Sequence, residues 1–372
     1  MYTTEKRDKI YIIVDDLITN VYTKPKELIK LFLRPASVYG INYFPEHQEK
    51  HKLRIFFDQF INILKFGHVD TFYYLYGLNL KNFRNKKNFV HYNLFSKRRK
   101  LLNWSSPSNS SVILRNKLYF GIFAKAIGVK TPLNIISIND GNILDLNTSQ
   151  PITLDNFIQN YKGTYFCKPL DGECGYGIFK LSLTGEKVLI NNVDSTKEEL
   201  QKLVENKQYI VQTAINQHPI QSSLHKESIN TLRLVTVRDL KTQEIKVFPS
   251  MLRIGTGKNV VDNTSKGGIA VGFDLKTGRL NEFGLQKPEF GTRTNVHPDS
   301  GIIFKDYYIP FLNEAVDKAK FFHSFLDLHS VGWDIAITEN GPVFIEGNDR
   351  WEINGPQSCN GGLMEEFKKY FF

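Results

Sequence analysis

Near the end of the chain, Trp333-Asp-Ile-Ala-Ile-Thr-Glu-Asn-Gly-Pro-Val-Phe-Ile-Glu-Gly-Asn348 sets two alternating apolar runs on either side of a turn, a pattern that reads as a β-hairpin. Period-2 alternation puts Asp334, Ala336 and Thr338 on one face and Trp333, Ile335 and Ile337 on the other, while Glu346 and Asn348 share a face of the return strand. Register decides what that face can do. A two-residue Asn340-Gly341 turn would pair Asp334 with Gly347 and send Glu346 to the opposite side. A three-residue loop, Glu339-Asn340-Gly341 with Gly341 left-handed, pairs Thr338 with Pro342 and sets Asp334 across from Glu346. The second register is adopted. Cross-strand Cβ atoms then lie roughly 4.5–5.5 Å apart. Asp334, Glu346 and Asn348 would present two carboxylates and an amide oxygen, hard ligands that suit Mg²⁺ when phosphate oxygens and waters complete its octahedron. On their own these residues fit an ordinary exposed hairpin with an acidic face as well as a cation site.

The 372 residues, 41% hydrophobic and 13% aromatic, can bury a sizeable core, and two or three subdomains are expected. No run of about 18 apolar residues appears, and the opening residues lack the apolar core of a signal peptide. The expected location is the cytoplasm. Cys167, Cys174 and Cys359 have no Cys-x-x-Cys spacing, which argues against a disulfide framework and a structural zinc site. They read as reduced thiols, with Cys174 a loop filler rather than a nucleophile because no basic partner is visible.

The net charge of +10 is unevenly placed: residues 51–130 carry 15 Lys or Arg against 2 acids, so the rest of the chain is slightly acidic. Within that stretch the segment 81–104 sets Lys97-Arg-Arg-Lys100 among Phe89, Tyr92, Phe95 and Trp104. Such a patch can face an anionic membrane surface at the inner face of the membrane, nucleic acid or a phosphorylated substrate, or be a solvated helix end. No nucleic-acid-binding motif supports that branch, and no nucleic-acid partner is expected.

Along the chain, the first hundred residues read mostly as helices. Apolar spacing predicts them over 9–21, 26–33 and 53–66, with Pro25 at a start and Pro35 at a stop. Ser105-Ser-Pro-Ser-Asn-Ser-Ser111 marks a boundary, followed by one helix carrying Arg115 and Lys117 and ending at Gly128. Tyr165-Phe-Cys-Lys-Pro169 reads as a strand ending in a lysine. The loop Asp171-Gly-Glu-Cys-Gly-Tyr-Gly177 then precedes another strand. Glycines 172, 175 and 177 let backbone N–H groups approach an anion while Lys168 adds positive charge, although a tight hairpin has the same look. After a helix over 197–205, Tyr209 to Ile215, with Gln212, is a strand suited to one wall of an adenine pocket. Asn230 to Val237 and Lys246 to Ile254 are two long strands carrying Arg233 and Arg253, each of which should meet a carboxylate or a phosphate. Asp262, Asn263, Gly267, Gly268 and His297 can line a substrate pocket or simply build turns, and a helix is expected from Pro310 to about Phe325.

In this order, Lys117, Lys168 before a glycine loop, Arg233 and Arg253 on strands, and Asp334, Glu346 and Asn348 on a hairpin resemble the ATP-grasp superfamily. More narrowly, Asn230-Thr-Leu-Arg233, Leu252-Arg-Ile-Gly255, Val261-Asp-Asn263, Gly267-Gly268, His297-Pro298, Gly332-Trp-Asp-Ile-Ala336 and Ile345-Glu-Gly-Asn348 look like the sugar-transfer-associated ATP-grasp proteins, relatives of α-L-glutamate ligases. The resemblance covers roughly residues 110 to 360. It implies an α+β ATP-grasp fold, two α+β subdomains gripping ATP, preceded by a mostly helical N-terminal region. The corresponding division is 1–105 helical, 106–215 the N-terminal or lid part with the glycine-rich loop, and 216–372 the C-terminal part with the metal-binding hairpin.

The resemblance further implies that Lys117 and Lys168 bind the α- and β-phosphates of ATP and that the loop Gly172, Gly175 and Gly177 closes over them. Asp334, Glu346 and Asn348 would hold Mg²⁺, and Arg233 and Arg253 would steady the transferred phosphoryl group. Gln212 stands where many superfamily members have an acid. The implied activity is an ATP-dependent carboxylate-amine ligase working through an acyl phosphate, and the family's name extends this to a sugar-linked or surface-polysaccharide acceptor. The basic segment 81–104 would touch a membrane-borne lipid-linked sugar. A kinase acting on a hydroxyl and an inactive nucleotide-binding protein are the alternatives. Phosphoryl transfer asks for positive charge and alignment rather than a nucleophilic side chain, which agrees with the lack of a convincing Ser-His-Asp or Cys-His set.

Overall fold

The computed structural model describes residues 4–104, 110–170 and 177–372. Gly172, Cys174 and Gly175 of the glycine loop, and residues 105–109 of the serine-rich boundary, lie outside the described residues.

Four helices come first: α1 (Thr4–Ile18), α2 (Lys24–Leu33), α3 (Lys52–Phe66) and α4 (Tyr92–Trp104). A π-helical segment, Thr19–Thr23, joins α1 to α2, and Pro25 stands in the first turn of α2, where its missing N–H costs no intrahelical bond. Next come α5 (Ser111–Arg115), α6 (Lys117–Ala126), β1 (Asn134–Asn139), β2 (Asn142–Asp145), β3 (Gln150–Ile152), α7 (Leu154–Asn160) and β4 (Gly163–Pro169). They are followed by β5 (Phe179–Leu183), β6 (Val188–Ile190), β7 (Val193–Ser195), α8 (Lys197–Val204), β8 (Gln208–Thr213) and α9 (Pro219–Leu224). The remaining elements are β9 (Leu232–Arg238), β10 (Ile245–Ile254), β11 (Ile269–Phe273), β12 (Leu280–Leu285), β13 (Arg293–Thr294), α10 (Leu312–Ser324), β14 (Ser330–Thr338), β15 (Gly341–Asn348), α11 (Asn354–Asn360) and α12 (Met364–Phe371).

The chain divides into two compact units that do not follow chain order. One holds Met1–Ser110, Ile220–Trp333 and Asp349–Phe372; the other holds Ser111–Pro219 and the hairpin Asp334–Asn348.

In the second unit eight antiparallel strands run in the order β3-β2-β1-β8-β4-β5-β6-β7. Alternation explains the faces. Phe179, Leu181 and Leu183 of β5 are buried between half-buried Lys180 and Ser182. The buried set meets Phe157 of α7 and Leu200 and Val204 of α8 in one core. Thr196 and Glu199 close a capping box at the start of α8.

In the first unit β13, β12, β11, β10 and β9 are neighbours in that order, and β14 adjoins β9. Trp333 of β14 donates through Nε1 to Thr236 Oγ1 at 2.8 Å and packs on Phe322 of α10. A second core joins Phe95 of α4 to Val235, Phe248, Trp351, Phe367 and Phe371, so α4 is built into this unit rather than standing apart from it. The tetrad on α4 is largely consumed in that packing. Lys97 pairs with Asp15 and Asp16 at 3.1 and 2.5 Å, Arg98 donates to the Phe371 carbonyl at 2.6 Å, and buried Arg99 donates to the Trp351 carbonyl and, at 3.1 Å, to Glu352. Lys97, Arg98 and Arg99 are therefore engaged in packing, while Lys81 and Lys87 of the same segment are exposed.

One helix expected over the 110s is two. Asn116 adopts extended backbone and ends α5, and its side-chain oxygen caps α6.

Candidate functional site

Lys168 lies at the end of β4 on the face of the sheet away from the α7 and α8 core. Tyr165 and Cys167 point into that core, and Phe166 and Lys168 alternate to the other side. In β8, Tyr209 and Val211 point inward, and the pairs Lys168–Ile210 and Phe166–Gln212 set Gln212 on the same outer face as Lys168. Lys117 reaches the end of this strand through main chain. Asn116 Oδ1 accepts from the N–H groups of Leu118 and Tyr119 at 3.0 and 3.1 Å, and the Lys117 N–H donates to the Leu170 carbonyl at 3.1 Å. Burial pushes the Lys168 ammonium from 10.5 down to about 8; the Glu346 carboxylate opposes that fall and the Lys117 charge adds to it. Lys117 and Glu346 therefore each lie within electrostatic reach of Lys168. Of the loop glycines, Gly177 is left-handed at φ 72°, and its carbonyl accepts from the Tyr209 hydroxyl at 3.2 Å.

The hairpin supplies the acidic side. Glu339 and Asn340 form the turn between β14 and β15, and Gly341 is left-handed at φ 93°. Asn340 is not among the residues of positive φ, which excludes an Asn-Gly turn with two left-handed positions. The left-handed Gly341 agrees with the three-residue loop expected from sequence. Asp334 is buried, Glu346 and Asn348 are half-buried, and Asn348 Nδ2 donates to Glu346 Oε1 at 3.1 Å. Among the described residues no group of three His, Cys, Asp or Glu is placed to hold a metal. Two carboxylates and an amide oxygen are nonetheless a donor set that fits Mg²⁺, which keeps waters and takes its other ligands from phosphates.

Gln212 is buried. Its Nε2 donates to Asn134 Oδ1 at 2.8 Å, while Oε1 has no hydrogen-bond partner among the described residues. Asn134 was not singled out from sequence, because only the pairing of β1 with β8 brings it to Gln212. Cys167 is buried on the core side, where burial pushes its thiol up and away from reactivity.

The arginine set belongs to the other unit. Arg233 on β9 pairs with Met251 on β10, and a Cβ on Gly332 would come within 3.4 Å of its Nη1. Arg253 donates through Nε and Nη2 to Thr231 Oγ1 at 3.1 and 2.8 Å. Thr231 donates its N–H to Asp262 Oδ2 at 2.8 Å and its hydroxyl to the same oxygen, which lies 3.8 Å from Arg253 Nε. The structure thus brings Arg253 and Asp262 together through Thr231, a residue inside a motif already noted whose part was not legible. Asn263 Oδ1 accepts from the Ser265 N–H at 3.0 Å, and Gly267 is left-handed at φ 96°. Gly268 has no room for a side chain, since a Cβ would sit 2.2 Å from the Asp262 carbonyl oxygen. His297 is fully buried, with Nε2 on the Gly255 carbonyl at 2.8 Å and Nδ1 accepting from the N–H groups of Asp299 and Ser300, each at 3.3 Å. Both ring nitrogens are committed to backbone, and burial lowers the imidazole pKa.

Asn103 on α4 was also missed. Its side chain accepts from the N–H groups of His329 and Ser330, both at 3.1 Å, and donates to the carbonyls of Ser330 and Asp349 at 3.1 and 2.8 Å. It thereby holds the chain at both ends of the hairpin segment.

Solved structures similar in fold include N5-carboxyaminoimidazole ribonucleotide synthetase in complex with ADP, 13% identical over 73% of this chain and 57% of that chain with a TM-score of 0.42. The synthetase from Thermus thermophilus is 13% identical over 71% and 54% with a TM-score of 0.40. VanG D-Ala:D-Ser ligase from Enterococcus faecalis is 13% identical over 70% and 62% with a TM-score of 0.40. This chain thus spans 54% to 62% of the length of these structures. A search of curated protein sequences found no match. The α+β elements form an ATP-grasp fold, and residues 96–370, from within α4 onward, match the sugar-transfer associated ATP-grasp family, to which the chain belongs.

Proposed function

We propose that this chain is an ATP-dependent ligase that activates a carboxylate as an acyl phosphate for attack by an amine. The observation that carries this reading is the placing of Lys117 and Glu346 each within electrostatic reach of Lys168, with the backbone of Lys117 tied to the strand that bears Lys168. Two ammonium groups beside a carboxylate suit a polyphosphate that brings its own cation. Lys117 and Lys168 bind phosphate oxygens, with Gly172, Gly175 and Gly177 in the loop over them. Asp334, Glu346 and Asn348 would hold Mg²⁺, which when bound supplies positive charge against those oxygens. The uncompensated Oε1 of Gln212 offers an acceptor to the exocyclic amino group of adenine.

Arg233 and Arg253 supply charge for the transferred phosphoryl group, and Asp262, through Thr231, holds Arg253 in position. An oxygen of the substrate carboxylate attacks the γ-phosphorus, and the bond to the bridging oxygen breaks, its electron pair leaving with ADP. The amine nitrogen then attacks the acyl carbon. The C–O bond to phosphate breaks, inorganic phosphate leaves with the electron pair, and the nitrogen loses a proton. Asn263, Gly267, Gly268 and His297 shape the loops on the acceptor side. The acid is an amino acid or similar acid and the acceptor a sugar-linked or surface-polysaccharide precursor; of this, the family description supports only an association with sugar transfer.

ADP release measured with Mg²⁺ and a panel of carboxylic acids, amines and alcohols tests the reading. Release should depend on a carboxylic acid and be lost in Glu346→Gln with circular dichroism unchanged. Unchanged release in that variant contradicts the metal assignment, and release driven by an alcohol alone assigns a kinase.

A further inference from the structure

The N-terminal helices expose the apolar surface that a helix ordinarily turns inward. In α1 and the π-helical segment, Ile10, Ile13, Val14, Leu17, Ile18 and Val21 follow helical spacing, yet all are exposed, Leu17 by 61% and Val21 by 69%. The partly buried side of the same helix carries Ile12, Asp15 and Thr19, and Lys97 of α4 holds Asp15 and Asp16. Six apolar side chains of this segment thus face out, beside exposed Asp16 and Asn20. In α2, Ile29, Phe32 and Leu33 are exposed, and in α3 so are Leu53, Phe57, Ile61 and Leu64. Phe32 meets half-buried Phe56 and Phe60 of α3 edge-on, with ring centroids 5.6 and 6.2 Å apart.

On α2 and α3 the exposed charges are basic, while α1 contributes Asp15 and exposed Asp16, both bound by Lys97. Lys26, Lys30 and Arg34 stand exposed on and beside α2, and Lys52, Arg54 and Lys65 on α3. The acids on these elements turn inward or are held: Glu27 is partly buried near Lys30, and buried Asp58 pairs with Lys50 at 2.9 Å.

We propose that this surface of α1, α2 and α3 lies on an anionic lipid bilayer. Exposed apolar area costs about 25 cal/mol per Å² in water, so an apolar stripe repeated on three helices calls for a cover. A basic rim around Phe, Leu and Ile is the chemistry of a helix lying in the headgroup plane of anionic lipid. A second copy of this chain, seated through the same face, would set lysine against lysine. Among the described residues no helix is long and apolar enough to cross a membrane, which suits attachment from one side. The attachment is independent of the ligase reading and would stand or fall without it.

Co-sedimentation of the full chain with lipid vesicles tests this. Binding to phosphatidylcholine vesicles containing about one third phosphatidylglycerol should exceed binding to phosphatidylcholine alone and weaken as salt is raised. Leu17→Glu, Leu33→Glu and Leu53→Glu together should weaken it by about tenfold or more with an unchanged melting temperature, since all three side chains are mostly exposed. Lys26→Ala with Lys30→Ala should lower binding to anionic vesicles alone. No binding to anionic vesicles, equal binding to both compositions, or a dimer in light scattering that the triple variant dissolves would each overturn the proposal.

Discussion

The backbone N–H of Lys117 donates to the carbonyl oxygen of Leu170 at 3.1 Å, two residues beyond Lys168. Lysines 51 positions apart in sequence are thereby anchored on adjoining main chain, and the Glu346 carboxylate acts on Lys168 from the hairpin. Anchoring the main chain from which both lysines extend leaves only their side chains to adjust when a phosphate arrives.

Lys168 predicts the pH dependence of nucleotide binding. Its pKa in the folded chain, about 8, lies below the ordinary 10.5. Below pH 8 the folded protein carries a buried charge that the unfolded chain carries in water, so the penalty is fully present there and is relieved as pH rises from 8 toward 10.5. A bound polyphosphate reverses the shift. ATP binding near pH 8.5, about half a unit above that value, should therefore take up a proton, seen by calorimetry in buffers of different ionisation enthalpy. Lys168→Met should abolish the uptake and weaken binding by about tenfold or more. Identical proton uptake in the variant would contradict the assignment.

Gln212 predicts base affinity. Gln212→Leu removes both the orphaned acceptor and the bond to Asn134, so stability should change by about 1 kcal/mol or less while the Kd for ADP rises roughly five- to tenfold. An unchanged Kd would remove Gln212 from the nucleotide site.

Several elements of the fold were legible in the residues alone. Alternation and the Glu339-Asn340-Gly341 loop announced the hairpin, and β9, β10 and α3 fall within about two residues of their expected limits. The parts that stayed hidden depend on partners distant in sequence. Asn116 looks like any polar residue inside a helix until the Leu170 carbonyl offers a partner to the next N–H. Three-residue strands such as β6 and β7 are too short to show a period. The basic tetrad at 97–100 read as surface because nothing local reveals that Asp15, Asp16 and the C-terminal carbonyls take up its charges.

Asn103 predicts where the hairpin segment is weakest. Its four hydrogen bonds hold the backbone at Ser330 and at Asp349, and the side chain is buried. Asn103→Ala should cost about 1–3 kcal/mol in urea unfolding through backbone groups left unpaired. Asn103→Asp, which keeps the accepting oxygen but loses both donated bonds, should also be destabilising. Full stability in both variants would show that the clamp is dispensable.

The most direct measurement of the central claim is hydroxylamine trapping. With ATP, Mg²⁺ and a panel of carboxylic acids, the purified chain should form a hydroxamate with at least one acid, in amounts matching the ADP released, and Glu346→Gln should form none. ADP release with no hydroxamate from any acid would contradict acyl-phosphate formation.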